Sequence, residues 1–515
     1  MNHRDASFAW KYHDLTKHSY WSVRTSAHYL DWANRPSPFK VYKDIEPEPL
    51  PKNLIPVKVS ALQALASTSI KADIATKPDL EKLASLLYNS TGITKTKTFP
   101  GGEIYFRAAA CAGALYPVEV YVVCGDIEGL RAGVYHFNPL EFTLIKLRDG
   151  DHRGALAEAT ANNPAIASAP VTLIYTAITW RSSWKYRDRS YRYHFWDNGM
   201  ILANALAMAT VHGLSAEAVM GFRESKVNAL IGIDGQRELA LSLLPLGSEE
   251  DKPAPGDSKK DLPKLNLETE PLSFSEVDYP SIREMHDAST LTDEVEVIAW
   301  RSARIDREIP EAAGETFTLD LSKADRLPDE AIDDVILRRA STRRFARKSL
   351  PFADLSVMLD RATQAIPADF LYPAGTRLND IYLIVNRVEG LPPGAYFYRK
   401  DERALELLNP GDFSEKAAYL ALDQQLAGDA SVTFFFMADL VPLLYAFGNR
   451  GYRAVQVEAG IIGGKLYLAA YSLGRGATGL TFYDDDVTNF FSPHAAGKSC
   501  IFITSVGIPG KRPLF

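Results

Sequence analysis

Cysteine is scarce in this 515-residue sequence: Cys111, Cys124 and Cys500 are three, odd in number and widely spaced. That excludes a disulfide framework and a thiolate zinc site. Cys124, inside the apolar run "VEVYVVC", reads as a small buried hydrophobe. The ten histidines include no His-x-x-x-His pair, and neither a Gly-x-Ser-x-Gly elbow, a dinucleotide fingerprint nor a P-loop is present. "YDDD" (Tyr483 to Asp486) lacks the ligand spacing of a calcium loop and reads as a capping or solvated turn. No basic excess exists either, since 57 Lys+Arg stand against 64 Asp+Glu, interspersed, for a net charge of -7. Nucleic acid and anionic membrane surfaces are therefore not expected partners. No apolar run of about 18 residues occurs, and the opening "MNHRDASFAWKYHDLTKHSYW" has no apolar stretch of the signal-peptide kind. A soluble cytoplasmic protein is expected.

What the sequence does contain is a repeat. "EVYVVCGDIEGLRAGVYHF" (Glu119 to Phe137) aligns without a gap to "DIYLIVNRVEGLPPGAYFY" (Asp380 to Tyr398), an offset of 261. The same offset relates Arg189, Tyr191 and Arg192 to Arg450, Tyr452 and Arg453, and Gly213 to Gly474. Two copies this long are duplicated domains rather than solenoid units. The expected division is an N-terminal extension over 1–50, a first domain over 51–246, a linker and connecting segment over 247–330, and a second domain over 331–515. The stretch Gly247 to Ser273, rich in Pro, Asp, Lys and Ser, reads as the linker proper. Each copy carries short β-branched and aromatic runs ("VEVYVVC", "GVYHF", "VTLIYTA"; "DIYLIVN", "GAYFYRK", "SVTFFFMA"), so an α+β fold is expected. "DNGMILANALAMATVHG" and "QVEAGIIGGKLYLAAYSLG" then show helical spacing and stop at Gly213 and Gly474. Gly460, Gly463 and Gly464 would each cost an exposed helix about 1 kcal/mol, so the second helix is expected to be central and closely packed.

Chemistry-bearing residues are unevenly shared between the copies. Arg338, Arg339, Arg343 and Arg344, with Ser341 and Thr342 among them, suit a phosphate, because guanidinium forks pair bidentately with its oxygens; a solvated basic face is the plain alternative. The first copy places Ser67, Ser69 and Lys71 opposite Arg339, Ser341 and Arg343. Ala110, Cys111, Ala112 and Gly113 form a small-residue entry to a strand, suited to close backbone approach to a ligand or to tight helix packing. "SSWKYRDRSYRYH" (Ser182 to His194) has Lys185 and Tyr186 where "LLYAFGNRGYRAV" has Ala446 and Phe447. Taken alone, the first stretch reads as a surface loop whose arginines pair with Asp188 and Asp197.

These motifs resemble the FMN-dependent nitroreductase superfamily, and within it the SagB-type, McbC-like azoline dehydrogenases in tandem form. The resemblance rests on Arg339-Ala-Ser341-Thr-Arg343, "ACAGALYP", Gly-Leu-x-x-Gly-x-Tyr, Lys-Tyr-x-x-Arg-x-Tyr-Arg and the closing "VGIPGK". It spans nearly the whole chain outside the linker and the first 50 residues. Two positions depart: Ala110-Cys111 replaces Pro-Ser, and Met200 replaces a histidine expected before the central helix. The resemblance implies two nitroreductase-like domains, each a mixed sheet flanked by helices, forming an intramolecular pseudo-dimer with FMN at the interface. It implies that Arg339, Ser341 and Arg343 hold the phosphate with Lys511 or Arg512 adding charge, and that Thr478, Gly479 and Leu480 lie near the flavin N5. Ala110, Cys111, Ala112 and Gly113 would approach the flavin from the first copy, and Lys185 and Tyr186 would act in catalysis, either one as base. Arg187 and Arg189 are the expected source of a field that lowers the Lys185 pKa.

The implied activity is dehydrogenation of a thiazoline or oxazoline to the azole in the biosynthesis of a modified peptide natural product. Its partners would be a peptide or small-molecule substrate, a cyclodehydratase or other biosynthetic enzyme, and a second copy in a further homodimer. The rival activities are an NAD(P)H-dependent nitro, quinone or enone reductase and a degenerate scaffold that binds a peptide or partner enzyme.

Overall fold

The computed structural model describes residues 5–66, 76–100, 102–249, 262–307 and 309–511, except 323, 327 and 329. Each half builds a sheet from the runs that the repeat sets 261 residues apart. Across the first sheet the strands run Pro47–Pro49, Thr143–Asp149, Gly133–Asn138, Val118–Cys124, Val171–Ile178 and Glu238–Leu246. Across the second they run Gly476–Leu480, Ser499–Gly507, Val432–Ala438, Asp380–Val385, Gly394–Arg399, Ala404–Pro410 and Thr316–Thr318. The ladders of both sheets are antiparallel, and parallel pairing occurs where Leu350–Pro351 meets Val388–Glu389. Register repeats with the sequence: Val122 faces Tyr135 and Leu173 in the first sheet, as Leu383 faces Tyr396 and Phe434 in the second. The turns repeat as well. Gly129 and Gly390 take φ of 85° and 83°, the left-handed backbone that glycine adopts without penalty.

The two long helices, Ser190–Val211 and Leu440–Ser472, pack against each other at the centre of the molecule. A Cβ on Gly199 would lie 2.5 Å from the Val457 carbonyl oxygen, and one on Gly460 would lie 2.5 Å from that of Trp196. The expected close packing of the glycine-bearing helix is thus against its own repeat, with backbones nearly touching. Both helices end on schedule. Gly213 (φ 68°) and Gly474 (φ 70°) turn the chain, and the next N–H groups, of Leu214 and Arg475, reach back to the carbonyls of Ala209 and Ala470.

Both helices start earlier than their apolar spacing suggests. The Arg-x-Tyr-Arg segments, polar in sequence, are helical and buried because their arginines close on acids of the other half. Arg189 and Arg192 donate to Asp484 at 2.9 and 2.7 Å. Arg450 and Arg453 both donate to Glu224, the latter at 2.7 Å. Each acid opens a helix, Asp484–Phe491 or Glu224–Ile231, where negative charge is favourable. The frame kept twice in the sequence is therefore a reciprocal clamp between halves. Met200 lies inside the first central helix, its side chain against Gly463.

The outlying segments also bind the halves together. Helix Ser7–Leu15 crosses from one to the other: Asn449 Oδ1 accepts from the Ala9 N–H at 2.9 Å, and the His13 carbonyl accepts from Arg192 Nη2 at 2.7 Å. Residues 262–272 are not a free tether. Lys43 N–H donates to the Glu268 carbonyl at 2.9 Å and Ser37 N–H to that of Leu272 at 2.8 Å, while Leu262, Leu265 and Leu267 pack beneath the first sheet.

Burial alone would raise the Asp484 carboxyl, but Arg189 and Arg192 outweigh it and hold it at about 2. A folded-state pKa below the unfolded value of about 4 contributes stability that is complete above that value and lost as pH falls toward 2. Asp484→Ala leaves two buried guanidinium groups without their carboxylate, and is expected to cost about 3–5 kcal/mol in urea unfolding at neutral pH. The difference from wild type should shrink as the pH is lowered toward 2.

Candidate active site

Lys185 and Tyr186 close the helix Thr179–Tyr186, whose buried Trp180 and Trp184 fix its rotation. They meet the small-residue loop from the same half. A Cβ on Gly113 would lie 2.7 Å from the Tyr186 hydroxyl and 3.4 Å from Lys185 Nζ. Gly113 has φ 63°, so this position needs glycine for both its backbone and its space. The loop is held from below by Asp197 of the first central helix. Its Oδ1 accepts from the Ala112 N–H at 2.9 Å and its Oδ2 lies 3.1 Å from the Cys111 thiol, which in turn accepts from the Tyr116 N–H at 3.1 Å. Ala110 lines the cleft beside this pair together with Arg107, Tyr116 and Ile201.

The second half enters through residues 339–346. Arg339 Nε donates to the Ala108 carbonyl at 2.9 Å and its Nη2 to that of Arg107 at 3.1 Å, so this arginine is anchored on the opposite half, directly before the small-residue loop. Ser341 Oγ lies 3.5 Å from the Tyr467 hydroxyl, which also receives the Gly479 N–H at 2.5 Å. Tyr467 thereby ties the arginine-rich loop to the edge strand that carries Thr478, Gly479 and Leu480. Thr342 N–H donates to the Ala477 carbonyl at 2.8 Å, and Gly510 N–H to that of Arg344 at 2.8 Å, bringing the chain at Lys511 alongside. Lys511 is exposed; Arg512 lies outside the described residues, as do Ser67, Ser69 and Lys71. Arg338 turns away to an ion pair with Glu330. The edge strand meets the first half where Thr481 Oγ1 stands 3.5 Å from the Tyr193 hydroxyl, and Tyr193 packs edge-on against Tyr186 at 4.5 Å between ring centroids.

The electrostatics follow from these placements. Burial, then Arg343, then Arg35 push the half-buried Lys185 amine below its usual range. Burial and the neighbours Tyr193, Cys111 and Asp197 push the Tyr186 phenol well above its own, against the opposing effect of Arg343. Arg187 and Arg189, expected to supply the field at Lys185, are not among the groups that shift it, and Arg189 turns instead to Asp484. Among the described residues Lys185, Arg343 and Arg35 form no ion pair with any carboxylate. An unpaired guanidinium such as that of Arg343 is suited to accept an anion.

The mirror position is built differently. Ala218, the counterpart of Gly479, is bridged to Ala368: its N–H donates to the Pro367 carbonyl at 2.9 Å, and the Asp369 N–H donates back at 3.0 Å. Asp369 further accepts from the Met220 and Gly221 N–H groups at 2.9 and 2.8 Å. The chain itself thus lies along the edge that its partner half leaves open, and Phe447, standing where Tyr186 stands, packs on Trp300 at 5.7 Å.

Sequence reasoning did not find Asp197, Arg35, Tyr193 or Tyr467 as site residues. For Asp197 a signal existed: Glu458, one period later, receives the N–H groups of Leu378 and Asn379, so both copies place an acid in an apolar helix beneath the strand-entry loop.

The comparisons agree with this architecture. The Nitroreductase family model matches residues 69–248 and 336–506, and the chain belongs to that family. A nitroreductase-family protein of Methanocaldococcus jannaschii is 32% identical over 168 residues, 33% of this chain and 80% of its own. The trifolitoxin-processing protein TfxB of Rhizobium leguminosarum bv. trifolii is 30% identical over 261 residues, 45% of this chain and 68% of its own. The microcin B17-processing protein McbC of Escherichia coli is 29% identical over 139 residues, 26% of this chain and 51% of its own. A crystal structure of a nitroreductase-family protein from Anabaena variabilis superposes with TM-score 0.76 at 27% identity, covering 98% of this chain and 99% of that one. The chain is a McbC-like oxidoreductase of the nitroreductase superfamily, with both α+β halves in one polypeptide.

Burial raises the Asp197 carboxyl to about 7, against its hydrogen bonds from Ala112 and Cys111. A folded pKa above the unfolded one means that stability from this group falls as pH rises from about 4 to about 7. Asp197→Asn is expected to flatten that part of the stability profile in urea unfolding, and an unchanged slope would contradict the protonated state.

Proposed function

We propose that the chain is an FMN-dependent dehydrogenase that converts an azoline, a thiazoline or oxazoline, to the azole during maturation of a modified peptide. The observation that carries this reading is the meeting of the protic pair Lys185–Tyr186 with the small-residue loop at Gly113, where the loop of the other half that carries Ser341 and Arg343 is tied by Arg339 to the Arg107 and Ala108 carbonyls. The naming of two relatives as peptide-processing proteins supports the substrate class.

The residues present fit the cofactor. Among the described residues Arg343 lacks a carboxylate partner, Ser341 has a hydroxyl held only at 3.5 Å, and Gly113, without a Cβ, lets the Tyr186 hydroxyl and the Lys185 amine stand against the loop backbone. Arg339, Ser341 and Arg343 would hold the phosphate, with Lys511 or Arg512 adding charge. The loop Ala110, Cys111, Ala112 and Gly113 and the strand residues Thr478, Gly479 and Leu480 would border the ring system. FMN, when bound, would supply the two-electron acceptor that an azoline dehydrogenation needs for its Cβ hydrogen. Removal of the Cα proton falls to the protein.

Lys185 suits that role, because the depression of its pKa enlarges the fraction of neutral amine near neutral pH. Tyr186 suits the complementary role of a hydroxyl that stays protonated and donates a hydrogen bond to the substrate, since its pKa is raised. One composite site per chain follows, because the Pro367 to Asp369 segment lies along the mirror edge.

Purified protein should release about one FMN per chain on denaturation, and Arg339→Ala with Arg343→Ala should abolish flavin retention. Azoline oxidation should rise with pH as Lys185 loses its proton. Lys185→Ala is expected to remove activity by a factor of about 10² to 10⁴ while FMN remains bound, and Tyr186→Phe to lower it less. Steady NADPH oxidation with a nitro, quinone or enone acceptor, and none with an azoline, would instead assign the reductase reading. A chain that binds no FMN when incubated with excess cofactor would be a scaffold for a peptide or for a biosynthetic partner such as a cyclodehydratase.

A further inference from the structure

The mirror edge has a cavity of its own, between the two central helices. It is lined by Leu206 and Thr210, which stand one period before Tyr467 and Tyr471. At the candidate active site those two phenols reach Ser341 and Thr342, at 3.5 and 3.3 Å. Leu206 has no hydroxyl and Thr210 is far shorter than a tyrosine, so space stays open here, a cavity of about 30 Å³. Ala203 and Ala216 give it apolar walls, and Pro367, whose carbonyl receives the Ala218 N–H, borders it. The segment that covers the mirror edge therefore also walls this cavity.

Lys465 of the second central helix lines the same space. It is 8% exposed, and its amine has no hydrogen bond or ion pair among the described residues. One period earlier the equivalent side chain is fully used: Asn204 Nδ2 donates to the Asn89 carbonyl at 2.9 Å and fastens the helix Leu80–Thr91. The charges that act on Lys465 supply no counter-ion. Lys400 is of like sign, and Asp360 is already taken by Arg361 at 2.6 Å and Gln364 at 3.0 Å. Burial, then Lys400, push the Lys465 amine down to about 7 against the opposing effect of Asp360. The Thr210 hydroxyl is likewise without a partner among the described residues. An ammonium in apolar surroundings is strongly disfavoured until an anion joins it. A carboxylate would accept a charge-assisted hydrogen bond from the amine and a second bond from the hydroxyl.

We infer that the cavity lined by Leu206, Thr210 and Lys465 is a second ligand site, for a small aliphatic carboxylate. The anion pairs with the Lys465 amine and accepts from Thr210, and the alkyl end lies on Ala203 and Ala216. Neither flavin nor azoline enters this site, so its fate is separate from that of the dehydrogenase reading.

Acetate and its neutral isostere acetamide, both ¹³C-labelled, test this. Each is titrated into the full chain at pH 7, with and without excess FMN, binding being followed by NMR line broadening and proton uptake by pH-stat. Acetate is expected to bind at least tenfold more tightly than acetamide. Because about half of the amine is neutral at pH 7, acetate should draw about half a proton per site from solution. Lys465→Met, an apolar chain of similar length, should lose both the preference and the uptake, while FMN retention is unchanged and the urea midpoint is no lower than that of wild type. Thr210→Val should weaken acetate severalfold and keep the uptake at saturation. Absence of acetate binding, equal binding of acetate and acetamide, binding without proton uptake, or a preference that survives Lys465→Met overturns the inference.

Discussion

Two arginines of each half close on one carboxylate of the other, and the rest of the molecule is arranged around that exchange. Arg189 and Arg192 with Asp484, and Arg450 and Arg453 with Glu224, lie at the helix starts where the halves meet. A buried ion pair contributes little net stability over an apolar contact, but removing one partner leaves a charge without compensation. The clamp therefore sets relative position more than strength. It admits only the arrangement in which all four guanidinium groups find their acids, and in that arrangement Gly199 and Gly460 meet backbone to backbone. Sliding one half by a helical turn would separate the acids from the arginines and drive larger side chains into the glycine crossing.

With the halves fixed in this way, the candidate site is a consequence of what each contributes at one of two related edges. At the edge strand Gly476–Leu480, the first half presents Gly113, Lys185 and Tyr186, and the second half presents Ser341 and Arg343. At the related edge near Ala218, the corresponding pieces are Ala446, Phe447 and a segment, Pro367 to Asp369, that hydrogen-bonds to the edge directly. In a homodimer of identical subunits every residue serves both sites at once. A duplicated chain is released from that constraint, and here the difference is expressed as polar groups on one side and self-pairing backbone on the other.

Much of this was legible in the sequence because burial repeats with period. The runs "VEVYVVC" and "DIYLIVN" become equivalent strands, in equivalent register, and Gly213 and Gly474 end the helices they were expected to end. The starts of those helices were not legible. Arg189, Arg192, Arg450 and Arg453 look like solvated residues until their acids, hundreds of positions away or across the linker, are brought to them. Arg35 and the Pro367 to Asp369 segment escaped for a related reason: each acts at a position set by the other half or by a crossing strap, and nothing local in its own stretch states that address. Asp197 was legible in principle, since an acid within "WDNGMILANA" has its echo in Glu458 within "QVEAGIIGG".

The difference between Arg189 and Arg343 shows why sequence proximity misleads about electrostatics. Arg189 lies close to Lys185 in the chain, past the end of its helix at Tyr186, and carries the same charge as Arg343. It turns to Asp484 at 2.9 Å and is not among the groups that shift the amine. Arg343 arrives from the other half with no carboxylate, and after burial it has the largest influence on Lys185, followed by Arg35. What tunes the amine is therefore uncompensated charge in a poorly solvated place, and only the assembled pair of halves decides which charges remain uncompensated. The same reasoning explains how neighbouring residues acquire opposite tendencies: burial disfavours the charged form of each, which lowers the pKa of Lys185 and raises that of Tyr186.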